Sequence, residues 1–186
     1  HRGTMTRAGS AWEVLILRPG GAPVRNLALA LIEADLYDAE NPEALPQITA
    51  TLNRSRNGLV EAAKQSDVLE PGTNLLVVVD QFEELFRFRQ GGVEYEEAAT
   101  AFVSLLLAAS ETEDCPIYVA ITMRSDYLGD CSEIPGLAEA VNRGEDRIPR
   151  LSRDQKRDAT EMPVGAGGRS GRTFAALLPG PPIRLF

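Results

Sequence analysis

Leu75-Leu76-Val77-Val78-Val79-Asp80-Gln81-Phe82-Glu83-Glu84 decides how the chain is read. Five consecutive apolar residues, the last three β-branched, suit a short strand better than a helix. Runs that are apolar at every position are typical of parallel strands covered on both faces. Pro71-Gly72 sets a turn before the run, and Asp80 ends it. In an open parallel sheet, ligands gather beyond the carboxyl ends of the strands. A carboxylate at the position of Asp80 suits a hard cation such as Mg²⁺, held directly or through water. Glu83 or Glu84, three or four residues on, could orient or deprotonate a water molecule. The plain alternatives are that Asp80 caps the next helix and that the adjacent glutamates form solvated surface.

Residues 117–121 form a second apolar run, ending at Thr122-Met123-Arg124-Ser125-Asp126. An arginine at the tip of a neighbouring strand could contact a γ-phosphate and stabilise developing charge. Otherwise Arg124 is a structural partner of Asp126 or Glu83, and Asp126 itself reads as a local cap. On the other side, Trp-Glu-Val-Leu-Ile-Leu at 12–17 reads as a strand stopped by Arg18-Pro19-Gly20-Gly21. Helical spacing predicts helices over 24–37 and 94–110 and a shorter one within 134–142. A further helical stretch from Ile48 to Ala63 is weakened at Asn57-Gly58. Residues 147–151 suit a short final strand, and Ser152-Arg153-Asp154-Gln155 fits a capping box opening a helix. Strands alternating with helices imply an α/β fold, a parallel sheet flanked by helices. From Pro163 the character changes. Residues 163–186 hold five glycines and four prolines in 24 positions and no acid, which predicts a disordered tail after a core of 1–162.

The chain has 186 residues, one domain's worth, with a formal net charge of -8. That balance argues against a nucleic-acid or anionic-membrane binder, whose footprint is a basic face. No apolar run approaches the roughly 18 residues that span a bilayer. Two cysteines, Cys115 and Cys131, make no disulfide framework, and a reduced, cytoplasmic setting is the simpler reading. His1 is the only histidine, which excludes histidine-based triads and metal sites. Both lysines, Lys64 and Lys156, lack a preceding glycine, so these residues contain no phosphate-binding Gly-Lys-Ser/Thr loop.

The segment from Leu75 to Phe86 resembles the Walker B segment of the novel STAND NTPases, bacterial signal-transduction ATPases of the P-loop superfamily. Ile121-Thr122-Met123-Arg124-Ser125-Asp126-Tyr127-Leu128-Gly129 resembles their sensor 1 segment. Residues 12–20 are similar to the strand after the Walker A helix, and 147–152 to the segment closing the nucleotide core. The resemblance implies that Asp80 is the Mg²⁺ partner and that Glu83 or Glu84 positions the attacking water. It gives Thr122 and Arg124 sensor contacts to nucleotide. It further implies ATP and Mg²⁺ as cofactors, other protein domains or subunits as partners, and a switch function in signalling. The Walker A segment would precede His1. The chain is then a fragment, a partial P-loop NTPase core missing its first strand, which would be central and would leave strand edges unpaired. Such a fragment alone would be a poor ATPase. The rival expectation is a non-catalytic, degenerate interaction module binding a partner through its acidic surface or a strand edge.

Overall fold

The computed structural model describes residues 11–66, 73–88, 92–112, 115–146 and 173–178. β1 (Trp12–Leu17) leads into α1 (Pro23–Glu33), then α2 (Ala44–Arg54) and α3 (Gly58–Gln65). β2 (Asn74–Val79) is followed by the short α4 (Glu84–Phe88) and the long α5 (Val93–Glu111). β3 (Ile117–Arg124) runs into a 3₁₀ segment (Ser125–Glu133), α6 (Leu137–Gly144) and β4 (Glu145–Asp146). β5 (Thr173–Leu178) closes the described chain.

The sheet runs in the order β1-β2-β3-β5-β4. β1, β2 and β3 are mutually parallel, with Leu15 opposite Val77 and Val77 opposite Val119. The expected α/β architecture is therefore present. Pro23 opens α1 at a position where its missing N–H costs nothing. The helical stretch from Ile48 to Ala63 divides at residues 55–57 into α2 and α3. Their contact is close: a Cβ on Gly58 would lie 2.6 Å from the Thr51 carbonyl oxygen and 2.7 Å from Leu52 Cα. Only glycine fits there.

Alternation assigns each strand residue to a face. Odd-numbered Leu15, Leu17, Leu75, Val77, Val79, Ile117, Val119, Ile121 and Met123 are buried, in one core with Leu27, Leu31, Phe102 and Leu105 of α1 and α5. Burying one such side chain contributes about 1.5–3 kcal/mol. The even-numbered face differs. Val14 and Ile16 are exposed, and Leu76, Val78, Tyr118 and Ala120 are only half-buried. Among the described residues one face of the sheet is packed and the other is apolar but more open, less covered than unbroken apolar runs alone suggest. Trp12 and Tyr118 meet across that open face, ring centroids 5.1 Å apart.

Two further differences concern the sheet edge. The edge of β3 is not left unpaired, because β5 lies antiparallel along it, Val119 opposite Leu178 through Arg124 opposite Thr173. β5 falls inside the stretch expected to lack regular structure. Averaging over 163–186 hides Thr-Phe-Ala-Ala-Leu-Leu, six residues free of Gly and Pro that can satisfy an open edge. The rest of that stretch, the short strand expected at 147–151 and the helix expected from Ser152 lie outside the described residues. The 3₁₀ segment was not foreseen, since Ser125-Asp126-Tyr127-Leu128-Gly129-Asp130 carries no helical apolar spacing.

Candidate functional site

Asp80, Thr122 and Arg124 come together at the carboxyl ends of β2 and β3. Thr122 and Arg124 share the open face of β3 because a single residue, Met123, separates them. The Thr122 hydroxyl donates to Asp80 Oδ1 at 2.6 Å. Thr122 Oγ1 in turn accepts from the Gln81 amide at 3.3 Å, and the Thr122 carbonyl accepts from the Phe82 amide at 2.8 Å. Thr122 thus ties the turn after β2 to β3. A hydroxyl has one proton to give. While Asp80 holds it, Thr122 can meet a phosphate only as an acceptor. Gln81 is left-handed, with φ 54, a conformation that costs a non-glycine residue on the order of 1–2 kcal/mol.

Arg18, at the end of β1, was not among the expected site residues. Its Nε donates to Asp80 Oδ2 at 3.3 Å. Both partners are substantially exposed, so this pair adds about 0–1 kcal/mol. The signal that could have found it is the register: Leu17 lies opposite Val79, so the residue after each strand end is adjacent.

The structure separates the two glutamates. Glu84 Oε2 accepts from the Gly20 amide at 3.0 Å, and the Tyr95 hydroxyl donates to the Gly20 carbonyl at 2.6 Å. Asn26 Nδ2 donates to the Pro19 carbonyl at 2.9 Å. Glu84, Tyr95 and Asn26 therefore clamp the turn after β1, where Gly20 takes φ 54. Burial, helped by the charge of Glu84, pushes the Tyr95 hydroxyl up to about 12. Glu83 is 9% exposed, and its Oε2 is buried without a hydrogen-bond partner. A buried carboxylate oxygen left unpaired costs free energy, which sets Glu83 apart from Glu84.

Arg124 makes a two-pronged ion pair with Asp126: Nε to Oδ1 at 3.1 Å and Nη2 to Oδ2 at 2.6 Å. The pair raises the guanidinium pKa and lowers that of the Asp126 carboxyl, through the hydrogen bonds first. Of the alternatives for Arg124, pairing with Asp126 is the contact observed. Cys131 is buried, and burial pushes its thiol up to about 11, as suits an unreactive thiol.

Among the described residues no group of three or more His, Cys, Asp or Glu could cage a metal ion. Mg²⁺ does not require one. It is commonly bound through one or two carboxylates, with waters and substrate phosphates completing the shell. Half-exposed Asp80 fits that pattern, provided Arg18 yields Oδ2. No described helix is long and apolar enough to cross a membrane.

The sequence matches the family model described as Novel STAND NTPase 1 over residues 2–173. No curated protein and no solved structure matches it. A match across most of the chain, over the same strands whose ends gather Asp80, Thr122 and Arg124, shows that the chain belongs to the novel STAND NTPase 1 family.

Proposed function

We propose that the chain carries the Mg²⁺ and sensor half of an ATP-controlled switch domain in signal transduction, working inside the cell with other protein domains or subunits. The phosphate-cradling loop then comes from a segment outside these residues, since neither lysine follows a glycine. The observation that carries the reading is the 2.6 Å bond joining Asp80 and Thr122 across adjacent strand ends, beside the unpartnered oxygen of Glu83. Asp80 would hold Mg²⁺, whose chemistry when bound is to neutralise charge on the β- and γ-phosphate oxygens. Glu83 would orient the attacking water and take its proton, because its carboxylate oxygen is uncommitted. Glu84 would hold the turn after β1 rather than act on water. Arg124 would face the γ-phosphate with the guanidinium edge that Asp126 leaves open, and Thr122 would keep Asp80 in place.

The test joins the chain to a phosphate-loop strand and helix of a family member and measures ADP affinity, ATP affinity and single-turnover hydrolysis. Asp80→Asn is expected to weaken Mg²⁺-dependent nucleotide binding. Glu83→Gln is expected to abolish turnover with ATP still bound, whereas Glu84→Gln keeps turnover. Arg124→Ala is expected to spare ADP and slow hydrolysis about a hundred- to a thousandfold. Equal loss of ADP and ATP on Arg124→Ala would make that residue structural. The 186 residues alone are expected to bind Mg·ATP only weakly, and micromolar affinity by calorimetry would sink the two-halves reading.

One observation favours a second reading, a non-catalytic interaction module: the open apolar face around Val14 and Ile16. Hydrolysis restored by the added phosphate loop, and lost again with Glu83→Gln, decides against it.

A further inference from the structure

The fork between Arg124 and Asp126 has a direction. It uses Nε and Nη2, one edge of a planar guanidinium with five N–H groups. Nη1 makes no hydrogen bond among the described residues, and Nη2 carries a second N–H beyond the one given to Asp126. The guanidinium also lies over the Tyr127 ring, 5.7 Å from its centroid. Tyr127 stacks on Phe86 at 6.3 Å with planes 14° apart, and Phe86 meets the fully buried Phe82 edge-on at 6.1 Å. Phe82 and Phe86 flank Glu83. The cation is thus held in its plane by Asp126 and from one face by an aromatic row rooted in the turn that carries Glu83.

We propose that Asp126 is a positioning residue that aims Arg124, taking its Nε–Nη2 edge so that the Nη1–Nη2 edge is presented to a polyphosphate at the carboxyl end of the sheet. The proposal rests on the nucleotide reading of the site; the local cap expected of Asp126 is not observed, since both its carboxylate oxygens bond Arg124 and the 3₁₀ segment has no side-chain cap bond. A long arginine side chain loses rotamer freedom when it binds an anion. Holding it beforehand removes part of that cost. Asp126 is itself an anion, so its charge opposes a phosphate ligand. Neutralising it by Asp126→Asn would tighten binding if charge alone mattered. Weakened binding with an unchanged thermal midpoint therefore reports lost orientation, which makes the sign of the effect diagnostic.

The experiment uses the 186-residue chain with arginine side chains labelled for NMR and inorganic tripolyphosphate as the probe, in the millimolar range. The Arg124 Nε–Hε signal is assigned by its loss in Arg124→Lys. We expect tripolyphosphate to move the Arg124 Nη signals while Nε–Hε stays at its Asp126-bonded position. Asp126→Asn should weaken the apparent affinity about three- to tenfold. Asp126→Glu should restore part of it, with thermal midpoints unchanged in both variants. Tighter binding in Asp126→Asn, or an Nε–Hε signal that leaves its bonded position as tripolyphosphate is added, overturns the proposal and makes Asp126 a competitor. That outcome leaves the site reading standing. No response of any Arg124 signal overturns the anion role of Arg124, and the proposal with it.

Discussion

Leu15 and Ile16 are neighbours in β1, equally apolar, yet one is 1% exposed and the other 64%. The contrast continues across the sheet. Leu15 aligns with Val77 and Val119, all buried, while Ile16 aligns with half-covered Val78 and Ala120. One face is the core under α1 and α5, and the other ends in Arg18, Asp80, Thr122 and Arg124. In the middle of the strands both faces are apolar: Leu15, Val77 and Val119 on one, Ile16, Val78 and Ala120 on the other. Among the described residues, what distinguishes the faces is which one a helix reaches, and that depends on chain far from the strand. An apolar run therefore states that two faces can be covered, not that both are.

The largest expected effect tests the packed face. Leu15→Ala should cost about 2–5 kcal/mol in urea unfolding, because a cavity opens in a closed core. Ile16→Ala should cost about 0.5 kcal/mol or less. Comparable losses at the two positions would mean that the second face is covered too. Next comes the closeness of the helix layer: Gly58→Ala should destabilise by about 1–3 kcal/mol, since the added methyl meets backbone that cannot turn aside. A neutral result would show that α2 and α3 separate freely.

A smaller effect probes the clamp at the end of β1. The Tyr95 hydroxyl is raised in the folded chain, from 10.0 to about 12. A raised folded value contributes stability that is full below pH 10 and lost as the pH climbs from 10 to 12. Tyr95→Phe should lose about 1 kcal/mol at neutral pH with its hydrogen bond, and should flatten the alkaline decline. Stability curves of the two proteins at stepped pH would show this, and parallel curves would remove Tyr95 from the clamp. The smallest effect belongs to the open face. Ile16→Thr should leave stability within about 0.5 kcal/mol while lowering the binding of an apolar dye.

The strand–helix alternation was readable because β2 and β3 are short apolar runs with polar ends. Asp80 and Thr122 were readable as residues just past those runs or at their ends, although their bond to each other was not. The different surroundings of Glu83 and Glu84 were invisible, because Glu84 is held by Gly20, 64 residues away, and Gly20 in turn by Tyr95, 75 residues from it. Arg18 escaped because its role comes from the register of β1 on β2. β5 escaped because six ordinary residues were averaged with eighteen Gly- and Pro-rich ones.

Arg18, Asp80, Thr122 and Arg124 are all even-numbered, and the registers of β1 on β2 and β2 on β3 keep even beside even. The site is thus written in phase as much as in residue type. A one-residue deletion within β2 that keeps Leu75 in register would carry Asp80 across to the packed side, with every side chain chemically unchanged. A deletion of two would keep the phase and merely shorten the reach. Length variation in this strand is therefore expected in steps of two, and a genetic screen for function across insertions and deletions should show that alternation.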